Sequence, residues 1–152
     1  MIGKSIQNIF SESKELVLDS GVLIAYFTDE NIPIVPLLDE YIFNEDSPIL
    51  LYGHNLMKTE LYYIICRKIN YTEATRILEQ VNKLINIISE KWLFEKAGQI
   101  KCRYSISIAD CFSISLGILK GCPILFLGEE ELPEDVVNDI KKDFNAKIQI
   151  II

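Results

Sequence analysis

Four carboxylates stand where a solvated surface charge is not expected. Asp19 interrupts the apolar run LVLDSGVLIAYF of residues 16–27. Glu60 lies in NLMKTELYYII, where the neighbours at helical spacing are Leu56, Tyr63 and Ile64. That spacing places it on an apolar stripe rather than opposite one. Asp110 lies in SISIADCFSISLGIL, between Ile106 and Ile114 at the same spacing. Glu129 follows the apolar PILFL across Leu127-Gly128, with Glu130 and Glu131 beside it. Isolated buried carboxylates are costly, and grouped ones repel one another unless something neutralises them. A hard divalent cation does so best: Mg²⁺ and Mn²⁺ prefer oxygen ligands, and Mg²⁺ keeps several waters while taking few direct carboxylates. The same cation polarises a phosphodiester and lowers the pKa of a bound water, which makes a nucleophile without histidine. That matters because His54 is the only histidine. H-E-x-x-H and His-pair mechanisms are excluded, and a Ser-His-Asp triad would have to use His54. The acids favour metal-assisted phosphoryl chemistry over acyl transfer.

Each acid also has an ordinary structural role open to it. Asp19 can cap the helix that follows. Asp110 can complete a capping box with Ser107, as S-x-x-D. Both roles are compatible with metal binding. Glu60 can pair with Arg67, and the run 129–131 can be a solvated, favourable helix start.

The elements that must position these acids follow from patterning. Leu16-Val17-Leu18 suits a buried strand, and Val22–Phe27 a helix after the break at Asp19-Ser20-Gly21. A second helix is predicted over 33–46, with Pro33 and Pro36 near its start. Ile49–Tyr52 reads as a short strand or lead-in, 55–69 as a long helix, and 72–84 as a helix capped by Thr72. Residues 85–89 are β-rich, 91–103 helical, and 107–120 a helix stopped by Gly121 and followed by Pro123. Residues 123–127 form a buried-type strand, 134–143 a helix and 147–152 a last strand. Short apolar strands alternating with helices indicate an α/β fold with a mostly parallel sheet. Ligands in such folds gather outside the carboxyl ends of strands, which draws attention to Asp19 and Glu129.

Composition sets the outer bounds. The 152 residues are 49% hydrophobic and carry a formal net charge of −7. That suits one domain and excludes a disordered chain, while 7 Gly and 5 Pro exclude collagen-like and low-complexity classes. Negative charge disfavours general polyanion binding, so nucleic acid would need a local basic patch or bound cations. Cys66, Cys102, Cys111 and Cys122 form no C-x-x-C pair, so a zinc site on usual spacing is unsupported. They read as reduced, mostly buried core cysteines of a cytosolic protein. Residues 1–15 are polar and mixed, without an apolar run of signal-peptide length. Charges interrupt every apolar stretch well before ~20 residues. The expectation is a soluble cytoplasmic protein with a short extension at 1–15 and a single domain at 16–152.

The acids and their settings together resemble a known family. The opening LVLDSGVLIAYF with Asp19-Ser20, the Thr59-Glu60 pair in MKTELYY, SISIADCFSISL with Asp110, and the closing GCPILFLGEEEL are similar to a PIN domain. The greatest similarity is to the VapC-type toxin ribonucleases, from about Leu16 to the C-terminus. The resemblance implies a three-layer α/β/α fold, an acidic pocket holding Mg²⁺ or Mn²⁺, and hydrolysis of RNA phosphodiesters. Position by position, it implies Asp19, Glu60, Asp110 and Glu129 as catalytic residues and metal ligands. Asp19, Asp110 and Glu129 would hold the cation directly or through water, and Glu60 would hold or deprotonate the attacking water. The family's last acid commonly follows a Thr-Gly pair. Here Glu129 replaces the usual Asp and Leu127 the usual hydroxyl, and Glu131 is an alternative ligand. Ser20 can orient Asp19 or a phosphate, or satisfy backbone near the helix start.

The implied partners are RNA, a protein antitoxin and a second copy in a homodimer. Lys58, Arg67, Lys68, Lys101 and Arg103 neighbour the site elements in sequence and are candidate RNA contacts. Tyr62, Tyr63, Tyr71 and Trp92 are assigned to core packing rather than base stacking. Leu127 and Glu129 also motivate a catalytically weak or inactive PIN-like domain that binds RNA or serves assembly. An α/β phosphotransfer module fits less well. A haloacid-dehalogenase-like phosphatase needs an Asp where Gly21 stands, and a receiver domain needs paired acids before its first helix and a Lys after a late strand, neither of which is evident.

Overall fold

Leu16, Val17 and Leu18 are all buried and form the central strand β1 (Glu15–Leu18). An unbroken apolar run is what a strand covered on both faces requires. The computed structural model describes residues 2–128 and 132–151. Helix α1 (Ile2–Glu12) precedes β1. After β1 come α2 (Ser20–Phe27), α3 (Ile34–Tyr41), β2 (Leu50–Gly53), α4 (Asn55–Lys68), α5 (Tyr71–Leu84) and β3 (Ile85–Ile87). A 3₁₀ turn (Glu90–Trp92) leads into α6 (Phe94–Arg103), α7 (Ile108–Lys120), β4 (Ile124–Leu127), α8 (Glu134–Phe144) and β5 (Ile148–Ile151).

The strands form one sheet in the order β3-β2-β1-β4-β5, and every pairing is parallel. The chain builds outward from β1 on one side and then returns to build on the other. This reversal makes the carboxyl ends of β1 and β4 the switch point of the sheet, where α/β folds open a crevice. The Asp19 N–H donates to the Leu125 carbonyl at 2.9 Å, tying the end of β1 to β4.

Successive residues of β1 face opposite layers. Leu16 and Leu18 join a core with Val22, Leu23, Leu38, Leu61 and Ile77, under α2–α5. Val17 joins the other, with Ile100, Ile114, Phe126 and Ile140, under α6–α8. The fold is therefore the expected three-layer α/β/α domain. Residues 6 and 10 of the N-terminal segment enter the first core: Ile6 and Phe10 are buried, and the Phe10 ring lies 5.8 Å from that of Tyr41 on α3.

Several local expectations are corrected. Asn70, not Thr72, caps α5, its side chain accepting from the Glu73 N–H at 2.8 Å; Asn is at least as good a cap as Thr. The helix predicted over 33–46 ends at Tyr41, where the Asn44 amide donates to the Asp39 and Glu40 carbonyls at 3.1 and 2.8 Å. Ser89 caps the separate 3₁₀ turn before α6. Of the four free cysteines, Cys111 and Cys122 are buried, Cys66 is half-buried and Cys102 is exposed. Tyr63, Tyr71 and Trp92 are not core residues but 43%, 72% and 65% exposed. Arg67 lies over the Tyr63 ring and Lys91 over that of Trp92, so cations cover aromatic faces that were expected to pack inside. No described helix is long and apolar enough to cross a membrane.

Candidate active site

Asp19 leaves β1 with extended backbone and accepts from the Gly21 N–H at 3.4 Å, which caps α2. The ordinary role foreseen for it is thus realised, in a residue only 1% exposed. Ser20, the first residue of α2, is buried as well. Its hydroxyl donates to Oε1 of Glu60, a half-buried carboxylate on the second turn of α4. This contact joins two segments forty residues apart. The alternative partner for Glu60 is otherwise engaged: the Arg67 guanidinium sits 5.1 Å from the Tyr63 ring centre.

Asp110 is 3% exposed and occupies the first turn of α7. Ser107 caps this helix by accepting from the Asp110 N–H at 3.1 Å, which is the S-x-x-D arrangement foreseen from sequence. α7 runs down the sheet and returns through Gly121 into parallel strand β4, so its start stands at the carboxyl end of the strands, as Asp19 does. It packs against β1, β4 and α4. Two buried carboxylates therefore stand at the first turns or caps of two helices. Unpaired helical N–H groups and the positive end of the helix dipole favour negative charge there, which offsets part of the cost of burial.

Glu129, with Glu130 and Glu131, lies outside the described residues. Among the described residues, no group of three or more His, Cys, Asp or Glu side chains is gathered as a metal cage. The donor chemistry nevertheless suits a hard cation. The buried donors are carboxylate oxygens, and Mg²⁺ keeps most of its waters and takes one or two protein carboxylates.

His54 has a role that sequence reasoning did not find. It is fully buried and caps α4, with Nδ1 accepting from the Met57 N–H at 3.0 Å. Nε2 lies 2.8 Å from Oγ of Ser113, on α7. Burial pulls its pKa down to about 4, against a weaker upward pull from Glu90, so the ring is neutral near pH 7. Nδ1 is taken by a backbone amide in place of a carboxylate, and the Ser113 hydroxyl is buried, so a Ser-His-Asp triad on His54 does not form. The signal was present in sequence, since His54 stands directly before the helical pattern at 55–69. Histidine is simply not a usual cap. Glu90 secures the same helix end, accepting from the Asn55 N–H at 2.9 Å and its side-chain amide at 3.2 Å.

The candidate cations divide by their contacts. Lys68 pairs with Glu30 at 3.4 Å and Arg103 with Asp143 at 3.6 Å, both in exposed positions where a pair contributes up to about 1 kcal/mol. Lys101 donates to the Ile106 carbonyl at 2.6 Å, bracing the loop that delivers Asp110. Lys58 is half-buried on α4, two residues before Glu60.

The architecture is that of an all-parallel α/β domain with acids placed at its switch point. Residues 16–134 match the PIN domain family, and the chain belongs to it. Its fold is similar to that of VapBC2 from Rickettsia felis, solved bound to a DNA fragment from their promoter, with a TM-score of 0.63 at 11% identity over 90% of this chain and 98% of that one. It is also similar to Mycobacterium tuberculosis VapC20, described as a Sarcin-Ricin loop cleaving toxin, with a TM-score of 0.59 at 14% identity over 72% and 86% of the two chains. A toxin-antitoxin complex from Klebsiella pneumoniae gives 0.56 at 12% identity over 78% and 91%. At these identities the likeness is one of fold. A comparison with curated proteins finds no match.

Proposed function

We propose that this PIN domain is a metal-dependent endoribonuclease that hydrolyses RNA phosphodiesters, acting as the toxin of a toxin-antitoxin pair. The observation that carries the reading is the Ser20–Glu60 hydrogen bond, which brings the Asp19 segment and Glu60 together at the sheet end where Asp110 opens α7. Asp19, Asp110 and Glu129 would hold Mg²⁺ or Mn²⁺, directly or through water, with Glu131 as the alternative to Glu129. When bound, such a cation supplies Lewis acidity at a phosphoryl oxygen and an acidified water. Glu60 accepts the proton of the attacking water. Ser20 donates to its Oε1, and Oε2 is the oxygen assigned to that proton in this reading. Lys58, Lys101 and Arg67 supply the cationic help that a chain of charge −7 needs to hold RNA.

Support for an antitoxin partner comes from similar folds in toxin-antitoxin complexes. A homodimer is part of the same reading. It would cover some of the exposed apolar side chains, among them Ile69, Tyr71, Trp92, Phe94 and Ile108, and light scattering that finds only monomer at micromolar concentration removes it.

The direct test is RNA cleavage in Mn²⁺ by the wild type and Asp110→Asn. Loss of at least roughly a hundredfold is expected for a metal ligand, and unchanged cleavage overturns the assignment. The second reading, a weak or inactive PIN-like module, is favoured by Leu127 and Glu129 standing where the family's hydroxyl and Asp usually do. Cleavage by the wild type that is lost in Asp110→Asn eliminates it.

A further inference from the structure

We propose that His54 is a positioning residue, whose two ring nitrogens fix the start of α4 and brace it against α7, setting Glu60 and Asp110 relative to each other. The inference rests on the nuclease reading of those two acids.

The geometry leaves one tautomer. Nδ1 accepts from the Met57 N–H, so in the neutral ring the proton sits on Nε2, which donates to Oγ of Ser113. Ring and hydroxyl are both fully buried, with exposures of 0% and 1%. Water therefore does not compete for either bond, and the loss of one partner strands the other.

Capping alone does not require an imidazole. Asp19, Asn70 and Ser107 cap α2, α5 and α7 with short side chains. The imidazole does the same for α4 and also reaches a second helix. The residues it joins stand close in the chain to the acids. Glu60 is six residues after His54, and Ser113 is one turn after Asp110. Glu60 is thereby held on two sides, by Ser20 from α2 and, through the frame of its own helix, by Ser113 from α7. A shift of α4 along α7 would change the spacing of the two carboxylates without altering either side chain.

Ser115 provides an internal control. Its buried hydroxyl lies on the same helix but donates to the Leu93 carbonyl at 2.8 Å rather than to a residue of α4. The experiment compares wild type, His54→Asn (cap retained, reach to Ser113 lost), Ser113→Ala, the double variant, Ser113→Thr (hydroxyl retained), Ser115→Ala and Asp110→Asn. Each is measured for melting temperature, Mn²⁺ affinity from the paramagnetic resonance signal of free Mn²⁺, and kcat and KM for RNA cleavage. His54→Asn and Ser113→Ala are expected to weaken Mn²⁺ binding about tenfold and lower kcat about tenfold with KM unchanged, the size typical of lost support behind a ligand. The double variant is expected to be no worse than either single change. Ser113→Thr restores both values, and Ser115→Ala loses melting temperature alone. The brace is overturned if Ser113→Ala matches Ser115→Ala in Mn²⁺ affinity and kcat, or if the two single effects add. Should Asp110→Asn bind Mn²⁺ and cleave RNA as the wild type does, it is the nuclease reading that fails, and this inference falls with it.

Discussion

Burial keeps His54 neutral, and this has a measurable consequence in acid. Its pKa in the folded chain is about 4, against an ordinary 6.5. Between those values the unfolded chain binds more protons than the folded one. Stability is therefore fully present above pH 6.5 and falls as the pH drops toward 4, by about 3 kcal/mol in all from this group. Urea unfolding from pH 7.5 to 4.5 should show that decline, and His54→Asn should flatten it; parallel curves would mean that the ring is not held neutral. The side chains around His54 also show what could be read from the chain alone. Asp19, Ser107 and Asp110 announced themselves, because a cap is a local feature and its partners lie within three residues. The His54–Ser113 and Ser20–Glu60 bonds span 59 and 40 residues, and no local pattern records them. Tyr63, Tyr71 and Trp92 were misjudged for a related reason: aromatic content says how much surface can be buried, but not which way a ring turns.

Helix α7 carries Asp110 at one end and lies on the sheet at the other, and a glycine permits the fit. A Cβ at Gly117 would collide with Cγ1 and Cδ1 of Ile124 on β4 and come within 3.3 Å of the Cys122 carbonyl. Gly117→Ala should therefore destabilise by about 1–3 kcal/mol through overpacking, although alanine is the better helix former. Gly98 on α6 is the contrast, exposed and with nothing within 4 Å of an added Cβ. Gly98→Ala should stabilise by roughly 0.5–1 kcal/mol. Thermal melting of the two variants, moving in opposite directions, checks the packing of α7; two upward shifts would show that α7 does not press on β4. The end of this helix was legible, since Gly121 takes the left-handed conformation (φ 64°) that a C-terminal glycine signals. Its packing was not, because a small residue inside an apolar helix marks a close approach without naming the strand approached. The start of α5 shows the limit of local signals in another way: Thr72 is a good cap by residue type, yet the helix opens at Tyr71 and Asn70 holds the cap position.

For the chain as a whole, the α/β class was readable because apolar strands and helices alternate. The strand order was not, since buried parallel strands are uniformly apolar and interchangeable in composition. Crossover handedness and the two helical layers settle what side-chain pattern leaves open. The same two layers bear on the metal. Both cores are built mainly of apolar residues, and the buried His54, Ser113 and Ser115 are hydrogen-bonded within the protein, so removal of divalent cations should leave the fold intact. The nuclease reading nevertheless requires the folded chain to bind Mn²⁺ and the unfolded chain not to. Linkage then adds about 2.7 kcal/mol at a hundred times the dissociation constant. In a domain of this size that corresponds to a rise in Tm of roughly 5–10 °C. Chelator should abolish the rise without unfolding the protein at room temperature. Asp110→Asn should melt near the wild-type apo temperature or above it, because one buried charge is gone, and should lose most of the Mn²⁺ increment. A wild type whose Tm ignores Mn²⁺ would leave its acids as helix caps and hydrogen-bond acceptors only, and the inactive reading would stand in place of the enzyme.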